Sequence, residues 1–255
     1  MANVVSFLPE DFQSFMSTMS ILRANCNDIS IVNGKIFQEN NPKDILYDVD
    51  LSDIFGVNTM YMNGANSKIN ILDIFRKQHS RMELEITAKS YIWKDDQSKV
   101  NFIAPSVSTL DIKPLNENST KSDIYRNYTV KIFEHEIDNT IIERIIHCQK
   151  SMETDAIYLI INGENARFHT RLGGNNGAVT KDLFVVDTLE SYDYTGVAKF
   201  PMTPFIPGVE RLNISTFINE QFKDRIILKT STSIGKININ VWSVMALKTK
   251  ESKGT

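Results

Sequence analysis

Ile29-Ser30-Ile31-Val32-Asn33-Gly34-Lys35-Ile36-Phe37 decides the fold: an apolar run stops at Asn-Gly and then resumes. Asn-Gly between alternating apolar residues is the strongest short hairpin signal, because both residues tolerate positive φ. The second half repeats the pattern, where Ile157-Tyr158-Leu159-Ile160-Ile161 runs into Asn162-Gly163 and then Glu164 to Phe168. Each hairpin follows a predicted helix. In the first half Pro9 stands where an N1 proline belongs, Glu10 and Asp11 complement the helix dipole, and Phe12, Phe15, Met16, Met19 and Leu22 recur at helical spacing. In the second, Asp138-Asn139-Thr140 offers a cap, and Ile141, Ile142, Ile145, Ile146 and Met152 form a comparable stripe.

A second, shorter helix is predicted in each half. Asn70 caps Ile71 to Lys77, and Asn213 caps Ile214 to Asn219. A strand opening with arginine follows each, Arg81 to Ile86 and Arg225 to Thr230. On this reading the step from Asn70 to Asn213 is longer than the step from Asn33 to Asn162, so the offset between the halves grows along the chain. The turn Gly173-Gly174-Asn175-Asn176-Gly177 and the segment through Pro201, Pro204 and Pro207 absorb the difference. Strands at Tyr91 to Trp93 and Lys99 to Ile103 close the first half, and Lys236 to Leu247 closes the second. The polar, aperiodic Asn116 to Asp123 reads as an exposed linker. The expectation is an α+β protein with domains at 1–115 and 128–255, joined by a connecting loop at 116–127.

Composition narrows the function. The 255 residues are 42% apolar and 23% charged, with a net charge of -3, as in an ordinary water-soluble domain pair. No apolar run approaches the ~20 residues of a membrane span. Met1-Ala2-Asn3-Val4-Val5 has no basic region or long apolar core, so no signal peptide is expected. Cys26 and Cys148 lack metal or redox spacing and read as reduced thiols. His79, His135, His147 and His169 share no ligand spacing with one another or with cysteine. The Gly173 to Gly177 run lacks the ending of a phosphate loop and reads as a hairpin tip. Glu83 and Glu85 alternate on a strand as a solvated face. No nucleophile elbow or magnesium-binding carboxylate cluster is present, so neither enzyme chemistry, metal nor cofactor is expected.

The order of elements resembles the DNA sliding clamp family, in its two-domain, trimer-forming branch found in eukaryotes, archaea and tailed phages. The resemblance covers essentially the whole chain. Its most specific stretch is Ile69 to Pro105: a strand, a short amphipathic helix ending in basic residues, three strands, then Phe102-Ile103-Ala104-Pro105. The basic tail Lys248 to Lys253 makes the chain most like the tailed-phage members. The resemblance implies two similar clamp domains, with antiparallel sheets outside and two helices each lining the inner face of a homotrimeric ring around duplex DNA. It implies a processivity factor of the cytoplasm, or of the host cytoplasm if viral. Such a protein tethers the replicative polymerase and other clients, is loaded by a separate ATPase, and has no membrane partner.

Arg23, Arg76, Lys77, Arg81, Arg144, Lys150, Lys223 and Arg225 fall on or beside the predicted helices. Helix ends attract cations in any protein, through the macrodipole. In a clamp these eight would face the hole and meet phosphates without reading bases. The resemblance also implies a client groove at Ile45, Leu115, Ile124, Met245, Ala246 and Leu247, positions that otherwise read as ordinary core or loop anchors. Edge strands suited to joining subunits are expected at Thr109 to Leu115 and within Val179 to Asp187. The alternatives are a virus-particle structural or interaction protein with a two-domain β-rich fold, and a clamp-like processivity factor that stays monomeric.

Overall fold

The computed structural model describes residues 3–40, 45–62, 81–87, 90–96, 99–103, 127–152, 156–172, 179–201, 209–219, 225–246 and 248–249. They divide into two compact units. The first is Met1–Asn118 with Ser233–Ile239; the second is Ser119–Thr232 with Asn240–Thr255.

The first unit opens with β1 (Asn3–Phe7) and α1 (Pro9–Asn25). Pro9 starts the helix, and the stripe Phe12, Phe15, Met19 and Leu22 is buried as its spacing requires. β2 (Ile29–Ile31), β3 (Lys35–Glu39), β4 (Ile45–Asp50), a one-turn helix α2 (Ser52–Phe55) and β5 (Met60–Met62) follow. β6 (Met82–Ile86), β7 (Ser90–Lys94) and β8 (Lys99–Ile103) come next. β1, β6, β7 and β8 form an antiparallel sheet in that order. Rings fill the space between sheet and helix. Phe7 lies 5.3 Å from Phe15 and 5.8 Å from Trp93, and Phe15 stacks on Phe55 at 6.0 Å between centroids. Phe55 comes from α2, which sequence periodicity did not reveal. Asp50 stands two residues before the first residue of that helix, its Oδ1 accepting from the amide and the hydroxyl of Ser52. These bonds favour the carboxylate and hold Asp50 below its ordinary pKa.

The Asn33-Gly34 turn forms as expected, with both residues at positive φ and Val32 bridged to Lys35. Its strands then part company: β2 pairs with β5, and β3 with β4.

In the second unit β9 (Val130–Asp138) leads into α3 (Asn139–Ser151), and the Asp138 side chain accepts from the Ile141 amide as an N-cap. β10 (Ala156–Leu172) and β11 (Val179–Pro201) form a long antiparallel pair. β12 (Arg211–Ile218), β13 (Arg225–Ile234) and β14 (Ile237–Ala246) extend from β9 in the order β9-β12-β13-β14, the end of β13 and the start of β14 falling in the Ser233–Ile239 segment of the first unit. β15 (Lys248–Thr249) joins the far side of β11 at Gly196 and Val197. Ile142 and Ile145 of α3 pack into a core with Phe133, Ile137, Phe168, Leu212, Ile214 and Leu228.

The expected repeat holds, but three of its details are corrected. First, Ile214 to Asn219 is not a helix. Leu212, Ile214, Thr216 and Ile218 are buried on β12, with Ser215 buried as well, between β9 and β13. Isoleucine, threonine and phenylalanine favour a pleated surface over a helix, and two neighbouring strands complete the choice. Second, Asn162-Gly163 is not a turn. β10 runs through it, with register shifts on both sides of Gly163, which has a φ of 62. The dipeptide serves here as a bulge. Third, the offset does not keep growing. Phe7 faces Met82 and Ile137 faces Leu212, and the step from Phe7 to Ile137 equals the step from Met82 to Leu212. Only the second hairpin is longer. Lys35 faces Asp50 and Asn165 faces Asp187; Lys35 to Asn165 is the same step again, while Asp50 to Asp187 exceeds it. The helix expected at Ile71 to Lys77 lies outside the described residues.

The first unit makes two of its own features testable by stability. A Cβ on Gly34 would run into the Gly56 carbonyl oxygen, whereas a Cβ on Gly56, also at positive φ, would meet nothing nearer than Asn58 Nδ2 at 3.7 Å. Gly56 carries backbone strain of its own, since φ 60 with ψ -144 lies in a region that only glycine adopts readily. Gly34→Ala should therefore lower the urea midpoint, and an unchanged midpoint would contradict the close approach. Burial, with the Asp28 carboxylate nearby, pushes the Tyr61 hydroxyl up to about 12. A raised pKa means that folding favours the protonated form. The stabilisation is complete below Tyr61's unfolded pKa of ~10 and is lost as the pH climbs toward about 12. Urea midpoints measured across that range should fall more steeply in the parent than in Tyr61→Phe.

Candidate functional site

The helices expose most of their polar residues, although Asp11 and Thr18 of α1 are buried. α1 exposes Glu10, Gln13, Ser17, Ser20 and Ala24, with Arg23 half-buried in its last turn. Several of its hydroxyls are occupied by the helix itself, Ser14 and Ser20 each donating to a carbonyl four residues back. α3 exposes Asn139, Thr140, Glu143, Arg144, His147, Lys150 and Ser151. Arg144, His147 and Lys150 are spaced by three, a shallow stair around the helix. The His147 ring and the Ser151 hydroxyl lie 3.1 Å apart.

The expected cations are therefore only partly assembled. Arg23, Arg144 and Lys150 lie on helices. Arg81 is exposed just before β6, one step beyond the Phe7–Met82 pair and so beside the start of α1. Arg225 opens β13, not the strand that repeats β6. The residue that corresponds to Arg81 in the second unit is Arg211, exposed at the start of β12, facing Asp138 and 3.3 Å from Glu136. Sequence reading missed Arg211 because the false helix at Ile214 displaced the repeat. Arg76, Lys77 and Lys223 lie outside the described residues.

A second feature is the edge of β11. Among the described residues the side of β11 away from β10 is paired only at Gly196 and Val197. Along the rest of that side, Val185 is 48% and Leu189 62% exposed, beside exposed Asp187. The expected edge within Val179 to Asp187 lies on this stretch; its counterpart Thr109 to Leu115 is not among the described residues. Behind the edge, Phe184 stacks on Phe168 at 4.5 Å and on His135 at 6.5 Å. Leu183 is an extra residue in the ladder, since Phe168 faces Phe184 while the next residue, His169, faces Asp182. Its carbonyl accepts from Arg144 Nη1 at 3.1 Å.

Of the expected client anchors, Ile45 is 1% exposed at the start of β4, so its side chain belongs to the core and is not available as a surface anchor. Met245 and Ala246 end β14, while Leu115, Ile124 and Leu247 lie outside the described residues. His169 is buried against Tyr158 at 5.4 Å. Cys26 is buried and its thiol is pushed up by desolvation, away from the thiolate that reactive cysteines need. No group of three possible metal ligands occurs among the described residues, and no described helix is long and apolar enough to cross a membrane.

No protein-family model matches the chain, and no curated protein matches its sequence. Solved structures match it along nearly its whole length. PCNA from Entamoeba histolytica aligns with a TM-score of 0.62 at 10% identity, over 96% of this chain and 98% of that one. The PCNA2–PCNA3 complex of Sulfolobus tokodaii gives 0.60 at 12% identity, over 96% and 99%. A. fulgidus PCNA, bound to the C-terminal region of FEN-1, gives 0.58 at 13%, over 99% and 100%. The chain therefore has the sliding-clamp fold: two α+β units built mostly of antiparallel sheet.

Proposed function

We propose that this chain is a DNA sliding clamp, closing as a homotrimer around duplex DNA and tethering a polymerase to its template. The reading is carried by the helix-on-sheet unit occurring twice at a constant offset, within a sliding-clamp fold. The open edge of β11 supports it. An unpaired edge with exposed apolar residues is a liability for a free protein and an asset for one that closes a ring with its own copies. In this reading the exposed faces of α1 and α3 look onto the hole, Arg81, Lys150, Arg211 and Arg225 meet phosphates, and the end of β14 contributes to the client site. Loading falls to a separate ATPase. The sparse charge on α1 suits sliding, because retention comes from topology and each contact must be weak enough to exchange.

Retention separates the possibilities. The loaded protein should stay on nicked circular DNA and run off the same DNA once linearised, while light scattering shows a concentration-dependent trimer. Equal dissociation from circular and linear DNA would remove the clamp reading; a monomer at all concentrations that still stimulates its polymerase would favour the monomeric processivity factor. Arg81, Lys150, Arg211 and Arg225 changed together to alanine should leave the trimer intact and flatten the salt dependence of direct DNA binding, by close to one unit for each phosphate no longer neutralised.

A further inference from the structure

Arg144 is one of the residues whose helical position suggests a phosphate contact, yet its guanidinium reaches the Leu183 carbonyl oxygen, 39 residues away in sequence. The bond falls on the one extra residue between Asp182 and Phe184 of β11. Leu183 is 2% exposed. A buried carbonyl outside the regular ladder needs a donor, and leaving it without one costs more than the bond's net worth. The inserted residue also sets which side chains face outward. With it in place Ala166 faces Val186, both buried, and Arg167 faces Val185, both exposed. A slip of one residue would exchange the two rows.

The geometry points to Arg144 as a positioning residue for subunit closure: by holding the Leu183 bulge it sets the register of the exposed Val185–Leu189 edge onto which a second copy docks. This rests on the ring reading for the identity of the partner, but not for the link between Arg144 and the edge. The bond comes from a charged donor in a partly buried place, the stronger class of hydrogen bond. Glutamine at the same position keeps a donor and drops the charge.

Two measurements on Arg144→Ala and Arg144→Gln test this, with Lys150→Ala as the comparison. Amide hydrogen exchange on the full chain, dilute enough to be monomeric, reads the edge directly. Arg144→Ala should speed exchange from Leu183 to Leu189 by about tenfold, the worth of one charge-assisted bond, with Arg144→Gln intermediate. Light scattering should show the midpoint of trimer formation about tenfold higher in Arg144→Ala, partly restored in Arg144→Gln, with the parent's salt slope for DNA binding in both. Lys150→Ala should do the reverse, keeping assembly and lowering the slope. Unchanged exchange and assembly in Arg144→Ala with a lower salt slope would overturn the proposal and make Arg144 a phosphate contact. If Arg144→Ala fails to fold, Arg144→Gln decides: a lower salt slope with intact assembly overturns it, and retained slope with weakened assembly supports it. Should the parent itself never trimerise, the ring reading fails while the exchange measurement still tests the tie between Arg144 and β11.

Discussion

Each unit depends on one closure. The strand before the helix must pair with a strand that begins far along the chain, Phe7 with Met82 and Ile137 with Leu212. Neither α1 nor α3 can bury its apolar stripe alone, since a lone amphipathic helix leaves one face in water. The returning strand places a sheet beneath that face, and closing so long a loop costs little more entropy than closing one half its length. In the first unit the closure brings Phe7, Phe15, Phe55 and Trp93 into one aromatic cluster. In the second it gathers Ile142, Ile145, Leu212 and Ile214.

The same closure disposes of the charges. Because the stripe is committed to the sheet, the opposite face must be polar, and α3 carries His147 and Lys150 there while Arg144 reaches back to Leu183. The two helices are not equivalent in this respect. α1 presents Glu10, Gln13, two serines and an alanine, and α3 presents Glu143, Arg144, His147 and Lys150. The arginines that recur in step with the two units, Arg81 and Arg211, belong to the strands of the closure itself and stand beside the helix starts. A surface with few fixed cations can move along DNA without settling, provided something other than affinity retains it. In the function proposed above a closed ring is such a device, and the edge of β11 is where it would close.

The repeat was legible at its N-terminal ends. Proline, acids and the stripe Phe12, Phe15, Met19 and Leu22 specify α1, and Asp138 specifies α3, because caps and helical periods are local properties read over a few turns. The arginine-led strands and the closing strands were legible for the same reason. Asn213 to Asn219 misled, since a polar residue before Ile, Thr, Phe and Ile fits either a capped helix or an alternating strand over so short a run. Once that segment was misread, Arg225 took the place that belongs to Arg211, and a constant offset looked like a growing one. Asn33-Gly34 and Asn162-Gly163 are identical in sequence, yet one is a turn and the other a bulge.

What the sequence by itself determined is therefore the class of the protein: two copies of a helix followed by strands, without membrane-spanning runs or a catalytic constellation, in an order that resembles sliding clamps. These are statements about neighbours in the chain, for which propensity and period suffice. Only the tertiary structure decided which strand pairs with which, that Ile45 is core, and that Arg144 turns toward Leu183. Each of these depends on partners far away in the chain, whose presence changes the free energy of a local choice by more than the local preference itself. A two-sided β partner overrides a weak helix signal at Ile214, and a buried carbonyl on β11 claims a guanidinium that would otherwise point into solvent.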